Sequence, residues 1–268
     1  MTRTADTTRG SPATAEEGVA VSLRDVCRRY GGVTAVQGVS LDVPRGARYV
    51  IIGPNGAGKT TLFKMISRQE PVSEGRIELF GTDVTRMPAH RVAKLGLART
   101  YQVTQIFPQL TVIENEMLSV QGLQRSKFRM LRSVMSQKAM VEKAEATLAR
   151  VGLDHVGHVK AAELGHGQQR QLELGLALAR DPRFLLLDEP AAGLSGADRG
   201  RIRELVRSLP ADITVLLIEH DMELALGLAD RVMCLHNGAP VAEGTPDEIR
   251  RNERVQDIYL GRDGQEAA

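Results

Sequence analysis

Short apolar runs, set off by glycine, proline and charged residues, punctuate the chain, and their length separates strands from helices. Tyr49-Val50-Ile51-Ile52, Phe184-Leu185-Leu186-Leu187 and Thr214-Val215-Leu216-Leu217-Ile218 are continuous runs without a polar face. They are too short for buried helices, so each predicts a strand covered on both sides. Residues 19–52 carry β-like stretches divided by turns at Gly31-Gly32 and Pro44-Arg45-Gly46, which predicts an antiparallel sheet feeding the strand at Tyr49. Arg76-Ile77-Glu78-Leu79-Phe80 predicts a further strand, with Gly81-Thr82-Asp83 as its exit. Between residues 112 and 153 the period changes. Ile113, Met117, Val120, Met140, Ala144, Leu148 and Val151 recur at helical spacing and predict a separate helical lobe, its methionines serving as core filler. Helices are also predicted over 59–67, 88–95 and 164–180. Strands alternating with helices make this an α/β chain.

Composition narrows the class. A chain of 268 residues with 42% hydrophobic and 25% charged residues has the make-up of a soluble globular protein, long enough for one large domain with a lobe inserted. Residues 1–18 are rich in Thr, Ala, Arg and Glu and have no apolar segment, which predicts a disordered tail, no signal peptide and a cytoplasmic location. No stretch approaches a membrane-spanning helix. The net charge of +2 and the scattering of its basic residues leave no nucleic-acid footprint. Arg125, Lys127, Arg129 and Arg132 form the densest basic cluster, read as a solvated helical face, with anionic lipid or a partner as the alternative. Cys27 and Cys234 are far apart and lack metal-ligand spacing, so two free thiols are expected.

The chemistry concentrates where strands end. Directly after Ile52 stands Gly53-Pro54-Asn55-Gly56-Ala57-Gly58-Lys59-Thr60, a complete GxxxxGK(S/T) phosphate-binding loop. Nucleotide phosphates crowd negative oxygens, so their loop needs many N–H donors and little side-chain bulk, which the glycines supply. Lys59 then reaches the β- and γ-phosphates, the Thr60 hydroxyl ligates the magnesium ion that travels with ATP, and Thr61 bonds the α-phosphate. Asp188 and Glu189 close the strand at Phe184. There Asp188 is placed to hold magnesium through water and Glu189 to polarise the attacking water. His220 follows the strand at Thr214 and is placed to donate to the γ-phosphate. Gln102 ends an extended stretch as an amide able to reach a metal or water. Leu164-Gly165-His166-Gly167-Gln168 opens a helix whose free N–H groups form a second anion site, which makes sense if it serves another subunit; His166 itself has a surface or packing role. Tyr30, before the Gly31-Gly32 turn, is either a face for adenine to stack on or a core tyrosine at a strand end.

Together, the Gly53 to Thr60 loop, Gln102, the stretch from Leu164 to Gln168, Asp188-Glu189-Pro190 and His220 stand in the order and spacing of an ABC transporter ATPase subunit, and the chain resembles that family over about residues 19–261. The resemblance implies a P-loop NTPase fold with a RecA-like core, an antiparallel β-subdomain and an inserted α-helical subdomain at about 103–178. The ATPase domain would occupy 19–246, with a family-type tail over 247–268. Two subunits would sandwich two ATP molecules. Tyr30 would stack on adenine, Gln102 sense magnesium and the γ-phosphate, Glu189 act as general base and His220 as the γ-phosphate switch. Arg99-Thr100-Tyr101-Gln102, Leu110-Thr111-Val112-Ile113-Glu114-Asn115, Pro190-Ala191-Ala192-Gly193-Leu194 and the ending from Gly244-Thr245-Pro246 through Tyr259-Leu260-Gly261 resemble more narrowly the branched-chain amino acid importers, whose relatives serve urea and short amides. Such importers pair ATPase subunits with membrane permeases and a soluble solute-binding protein, and sit on the inner face of the cell membrane. A lipopolysaccharide-export ATPase is the sister alternative, and a soluble non-transport ABC ATPase another. Ile106, Phe107 and Leu110 are the expected permease contacts. Two residues depart from the family pattern: Gly165 stands where a serine normally donates to the opposite subunit's γ-phosphate, and Ser195 where Asp is common. A bond to a charged group is worth about 1.5–3 kcal/mol, so the glycine predicts two unequal ATP sites in a heterodimer.

Overall fold

A computed structural model describes residues 18–100, 106–121 and 138–260. The first two strands, β1 (Val19–Tyr30) and β2 (Val33–Pro44), are longer than their broken hydrophobic pattern predicts. Each runs 12 residues because irregularities in register near Val26 and Arg28 re-aim the pleat without ending it. With β4 (Glu74–Leu79) and β5 (Thr82–Asp83) they form an antiparallel sheet in the order β2-β1-β4-β5. The expected strand at Arg76 stops at Leu79, because Phe80 turns to φ 51° ahead of the reversal.

The second sheet contains β3 (Arg48–Ile52), β6 (Leu97–Arg99), β7 (Phe184–Asp188), β8 (Thr214–Ile218), β9 (Arg231–His236) and β10 (Ala239–Gly244), in the order β10-β9-β3-β8-β7-β6. β3, β6, β7, β8 and β9 run parallel, and β10 is antiparallel to β9. The uninterrupted apolar runs are explained by burial on both faces. Val50 and Ile52, Leu185 and Leu187, and Val215 and Leu217 point into one core with the helices. Tyr49 and Ile51, Phe184 and Leu186, and Leu216 and Ile218 point into the other, shared with the antiparallel sheet.

The helices are α1 (Lys59–Ile66), α2 (Ala89–Lys94), α3 (Val112–Gln121), α4 (Lys138–Val151), α5 (His166–Leu178), α6 (Gly196–Arg207), α7 (Met222–Leu228), α8 (Pro246–Arg251) and α9 (Glu253–Leu260). In α3, Ile113, Met117 and Val120 are buried, and in α4 Met140, Ala144, Leu148 and Val151, as their spacing predicts. These helices pack with α5, and their core runs on without a break into that of the parallel sheet. α5 ends at Leu178 rather than Arg180, since the chain reverses at Asp181 with φ 47°. Cys27 and Cys234 are both buried and are not joined in a disulfide. Among the described residues no helix is long and apolar enough to cross a membrane. Residues 1–17, Tyr101 to Gln105, 122–137 with their basic cluster, and the chain from Gly261 onward lie outside the described residues, so the expectations for the tail and for Gln102 rest on sequence alone.

Candidate active site

Parallel strands deliver their carboxyl ends to one rim, and the residues that carry chemistry follow them there. Gly53 leaves β3 at φ 148°, where a Cβ would sit 2.2 Å from the Leu235 carbonyl oxygen. Gly58 enters α1 at φ 95°, where a Cβ would lie 2.4 Å from the carbonyl oxygen of Ala35. Only glycine fits at either end of this loop. The loop borders a cavity of about 450 Å³ lined by Ala35, Asn55 to Thr61, Glu189 and His220. Ala35, supplied by β2, was not foreseen, and nothing in its own sequence context marks it.

Lys59 is buried to 6% exposure, and its Nζ donates to the carbonyls of Gly53 at 2.6 Å and Pro54 at 3.0 Å. Burial pushes the ammonium below its ordinary range, while the charges of Glu189 and Asp188 draw it back up. An ammonium satisfied by two neutral carbonyls can exchange both for phosphate oxygens, which are stronger acceptors.

Asp188 closes β7 and is almost wholly buried. Its Oδ2 accepts from Arg99 Nη2 at 2.9 Å, and Arg99 Nη1 also donates to Ser67 Oγ at 2.9 Å and Gln69 Oε1 at 2.7 Å. One arginine thus ties the strand preceding the Gln102 segment to the acidic end of β7 and to the far end of α1. Sequence reading placed Arg99 in a motif but gave it no task; pairing of β6 with β7 brings the two together.

Glu189 follows with φ 46°, a left-handed conformation rare outside glycine. Its N–H donates to the carbonyl of Ile218 on the neighbouring strand, which holds the turn. The side chain is swung over the loop, and its Oε2 lies 3.6 Å from His220 Nδ1. Glu219 also approaches the imidazole, with Oε2 at 4.0 Å from Nδ1. It is 1% exposed and its Oε1 has no hydrogen-bond partner. Burial pushes the Glu219 carboxyl up to about 7, the Glu189 charge adding to this and the N–H groups of Ala191 and His220 opposing it. Its buried place could not be read from Glu219-His220-Asp221, a triplet that looks solvent-facing.

The other expected residues lie elsewhere. Tyr30 is 42% exposed, so it is not a core tyrosine; its ring carries the Arg28 guanidinium at 4.4 Å and does not line the cavity. Gly165, Gly167 and Gln168 open α5, also apart from the cavity. There the Gly165 N–H donates to Gln168 Oε1 at 3.2 Å, and Gly167 packs so tightly that a Cβ would meet the Asp198 carboxyl carbon at 2.5 Å. His166 is exposed.

The hard oxygens near the loop are the Thr60 hydroxyl and the Glu189 carboxylate, which line the cavity, and behind them the buried Asp188 carboxylate, whose Oδ2 is paired with Arg99; no three His, Cys, Asp or Glu residues converge on a metal site among the described residues. That set fits magnesium, which keeps several waters and takes substrate phosphates beside one or two protein oxygens.

The family model for ABC transporters matches residues 36–192, and that for branched-chain amino acid ATP-binding cassette transporters matches residues 239–264. The chain is 37% identical over 240 residues to the high-affinity branched-chain amino acid transport ATP-binding protein BraF of Pseudomonas aeruginosa, covering 87% of this chain and 94% of the relative. It is 36% identical to LivG of Escherichia coli, a protein of the same description, covering 90% and 97%. Among solved structures, the ADP conformation of MJ1267, an ATP-binding cassette of an ABC transporter, superposes with a TM-score of 0.80 at 30% identity, over 91% of this chain and 99% of that one. The fold is also that of a dimeric cassette, MJ0796 bound to ADP and Pi, at a TM-score of 0.71. Sequence, fold and the chemistry at the strand ends agree: this chain belongs to the ABC transporter family as an ATP-binding, ATP-hydrolysing subunit.

Proposed function

We propose that the chain powers uptake of branched-chain amino acids, or of related small polar solutes such as urea and amides, through partner permeases. The observation that carries this reading is that similarity to branched-chain amino acid transport subunits extends through the C-terminal residues 239–264, beyond the general ATPase match. The same relatives favour it over the export and soluble-ATPase alternatives.

In this reading the backbone N–H groups of Gly56, Gly58, Lys59 and Thr60, with Gly53, Pro54, Asn55 and Ala57 shaping the loop, hold the phosphates of ATP. Lys59 bonds the β- and γ-phosphates, Thr61 the α-phosphate, and Tyr30 offers its exposed ring to adenine. Thr60, Asp188 and Gln102 would hold Mg2+, which draws charge from the phosphate oxygens. Glu189 takes the proton of the attacking water as general base. His220 donates to the γ-phosphate, with Glu189 and Glu219 both near its Nδ1. Gly165, Gly167 and Gln168 serve the ATP of a second ATPase subunit, which also explains why they stand apart from this chain's own cavity. The permeases place the chain peripherally on the inner membrane face, and a periplasmic or extracellular binding protein delivers solute to them.

Phe107 is 58% exposed beside the partly buried Ile106, a face suited to a permease helix. Co-expression with the permeases encoded beside it should yield a complex whose ATPase rate rises with loaded binding protein. Phe107→Asp should abolish co-purification while leaving ATP binding intact. Recovery only with export permeases, or with none, would overturn the proposal.

A further inference from the structure

We infer that the C-terminal helix α9 holds the phosphate loop in place, with Tyr259 as a positioning residue acting on nucleotide affinity through the backbone of Gly53. The inference rests on the reading of Gly53 to Thr60 as the loop that grips ATP.

Gly53 is the first residue past the β3 ladder, where the chain leaves the sheet and its N–H needs a new acceptor. It is buried, and that acceptor is the Tyr259 hydroxyl oxygen at 2.9 Å. Residues 53 and 259 stand at opposite ends of the chain. Tyr259 is fixed by its helix, whose Val255 and Ile258 are buried in the same core as β3 and β9. Burial pushes the Tyr259 hydroxyl up to about 12, so it stays a neutral acceptor at any physiological pH.

The loop's first residue is thus gripped from two sides: Tyr259 takes its N–H, and Lys59 donates to its carbonyl at 2.6 Å. These contacts have different fates. When the Lys59 ammonium turns to the β- and γ-phosphates it gives up the Gly53 carbonyl, whereas the Tyr259 bond can persist. The Leu235 carbonyl oxygen packs against Gly53 on the side where a Cβ would stand. The hydroxyl is therefore worth more once nucleotide has claimed Lys59, and it contributes to ATP affinity as well as to folding.

The test uses the full-length protein and a fluorescent ATP analogue with magnesium, comparing Tyr259→Phe and Lys59→Ala with the parent. Tyr259→Phe removes one oxygen and should weaken nucleotide binding about five- to tenfold, by leaving a buried N–H without its acceptor. The KM for ATP should rise by a like factor with kcat at saturation retained, the signature of a lost binding contact. Unchanged affinity with a lowered unfolding midpoint would overturn the inference and leave Tyr259 a purely structural residue. Lys59→Ala separates the two readings. If it binds as tightly as the parent, the loop assignment fails; if it loses binding while Tyr259→Phe does not, only the positioning role fails. Should Tyr259→Phe not fold, amide exchange at Gly53 in the parent protein decides: protection that survives ATP addition supports the bond, and protection lost on addition overturns it.

Discussion

At the scale of single residues, the charged groups at the strand ends are held in different ways, and this sorts the effects of replacing them. Glu189 is partly open to solvent and in an unusual backbone conformation, so Glu189→Gln should spare the fold and ATP binding. Single-turnover measurement should show hydrolysis about 10²–10⁴-fold slower, with ATP retained on the protein. The Arg99–Asp188 pair is buried at both ends. Arg99→Leu strands a carboxylate in the interior and should cost about 3–5 kcal/mol, read as a lower urea midpoint; adding Asp188→Asn should restore part of it. Lys59, Asp188, Glu189 and His220 were legible in the sequence because each occupies a fixed offset from a glycine loop or a strand end. Arg99, Glu219 and Ala35 were not, because their importance comes from the folded surroundings: Arg99 meets Gln69 and Asp188, Glu219 is buried beside His220, and Ala35 lines the cavity with the loop.

At the scale of elements, apolar spacing anticipated α3, α4 and the buried strands β3, β7 and β8, but not α6 to α9, β9 or β10, nor what the polar residues inside do. In α3, Glu116 is fully buried, has no hydrogen-bond partner at either carboxylate oxygen, and lies against Gly175 of α5. Burial raises its carboxyl from 4.5 to about 8, so the folded chain binds a proton that the unfolded chain releases. Stability contributed at this position is fullest below 4.5 and falls by about 1.4 kcal/mol per pH unit up to about 8. The stability gap between Glu116→Gln and the parent, followed by urea unfolding at several pH values, should widen across that window and level off above it. At the start of α5, Gly165 has an ordinary extended conformation, and a Cβ there would find its nearest neighbour 3.9 Å away at Gln168 Oε1. Gly165→Ser therefore fits, and its hydroxyl, as a helix cap and a donor to a partner's ATP, should raise the ATPase rate of the assembled complex. No gain in rate would set aside the two unequal sites.

At the scale of the whole molecule, the elements that hold nucleotide and those that would complete a second site belong to different parts of the chain. With Gly165 to Gln168 serving a partner's ATP, as proposed above, a lone subunit would have half of each site, and ATPase rate per subunit should fall on dilution below the subunits' affinity for one another, recovering on reconcentration. Sequence singled out both the loop at Gly53 and the helix opening at Gly165, and the latter does not line the loop's cavity; sequence did not anticipate that the C-terminal helix would touch the loop, because one hydroxyl meeting one backbone N–H leaves no periodicity to read. The central sheet has a slower consequence. Tyr49 to Ile52 and Val215 to Ile218 are at most 1% exposed, and both cores close over them. Their amide protons should exchange with deuterated solvent only when the entire domain unfolds, orders of magnitude later than those of the loop they support. Nucleotide would then come and go at a rim that moves, above a floor that opens only when the whole domain does.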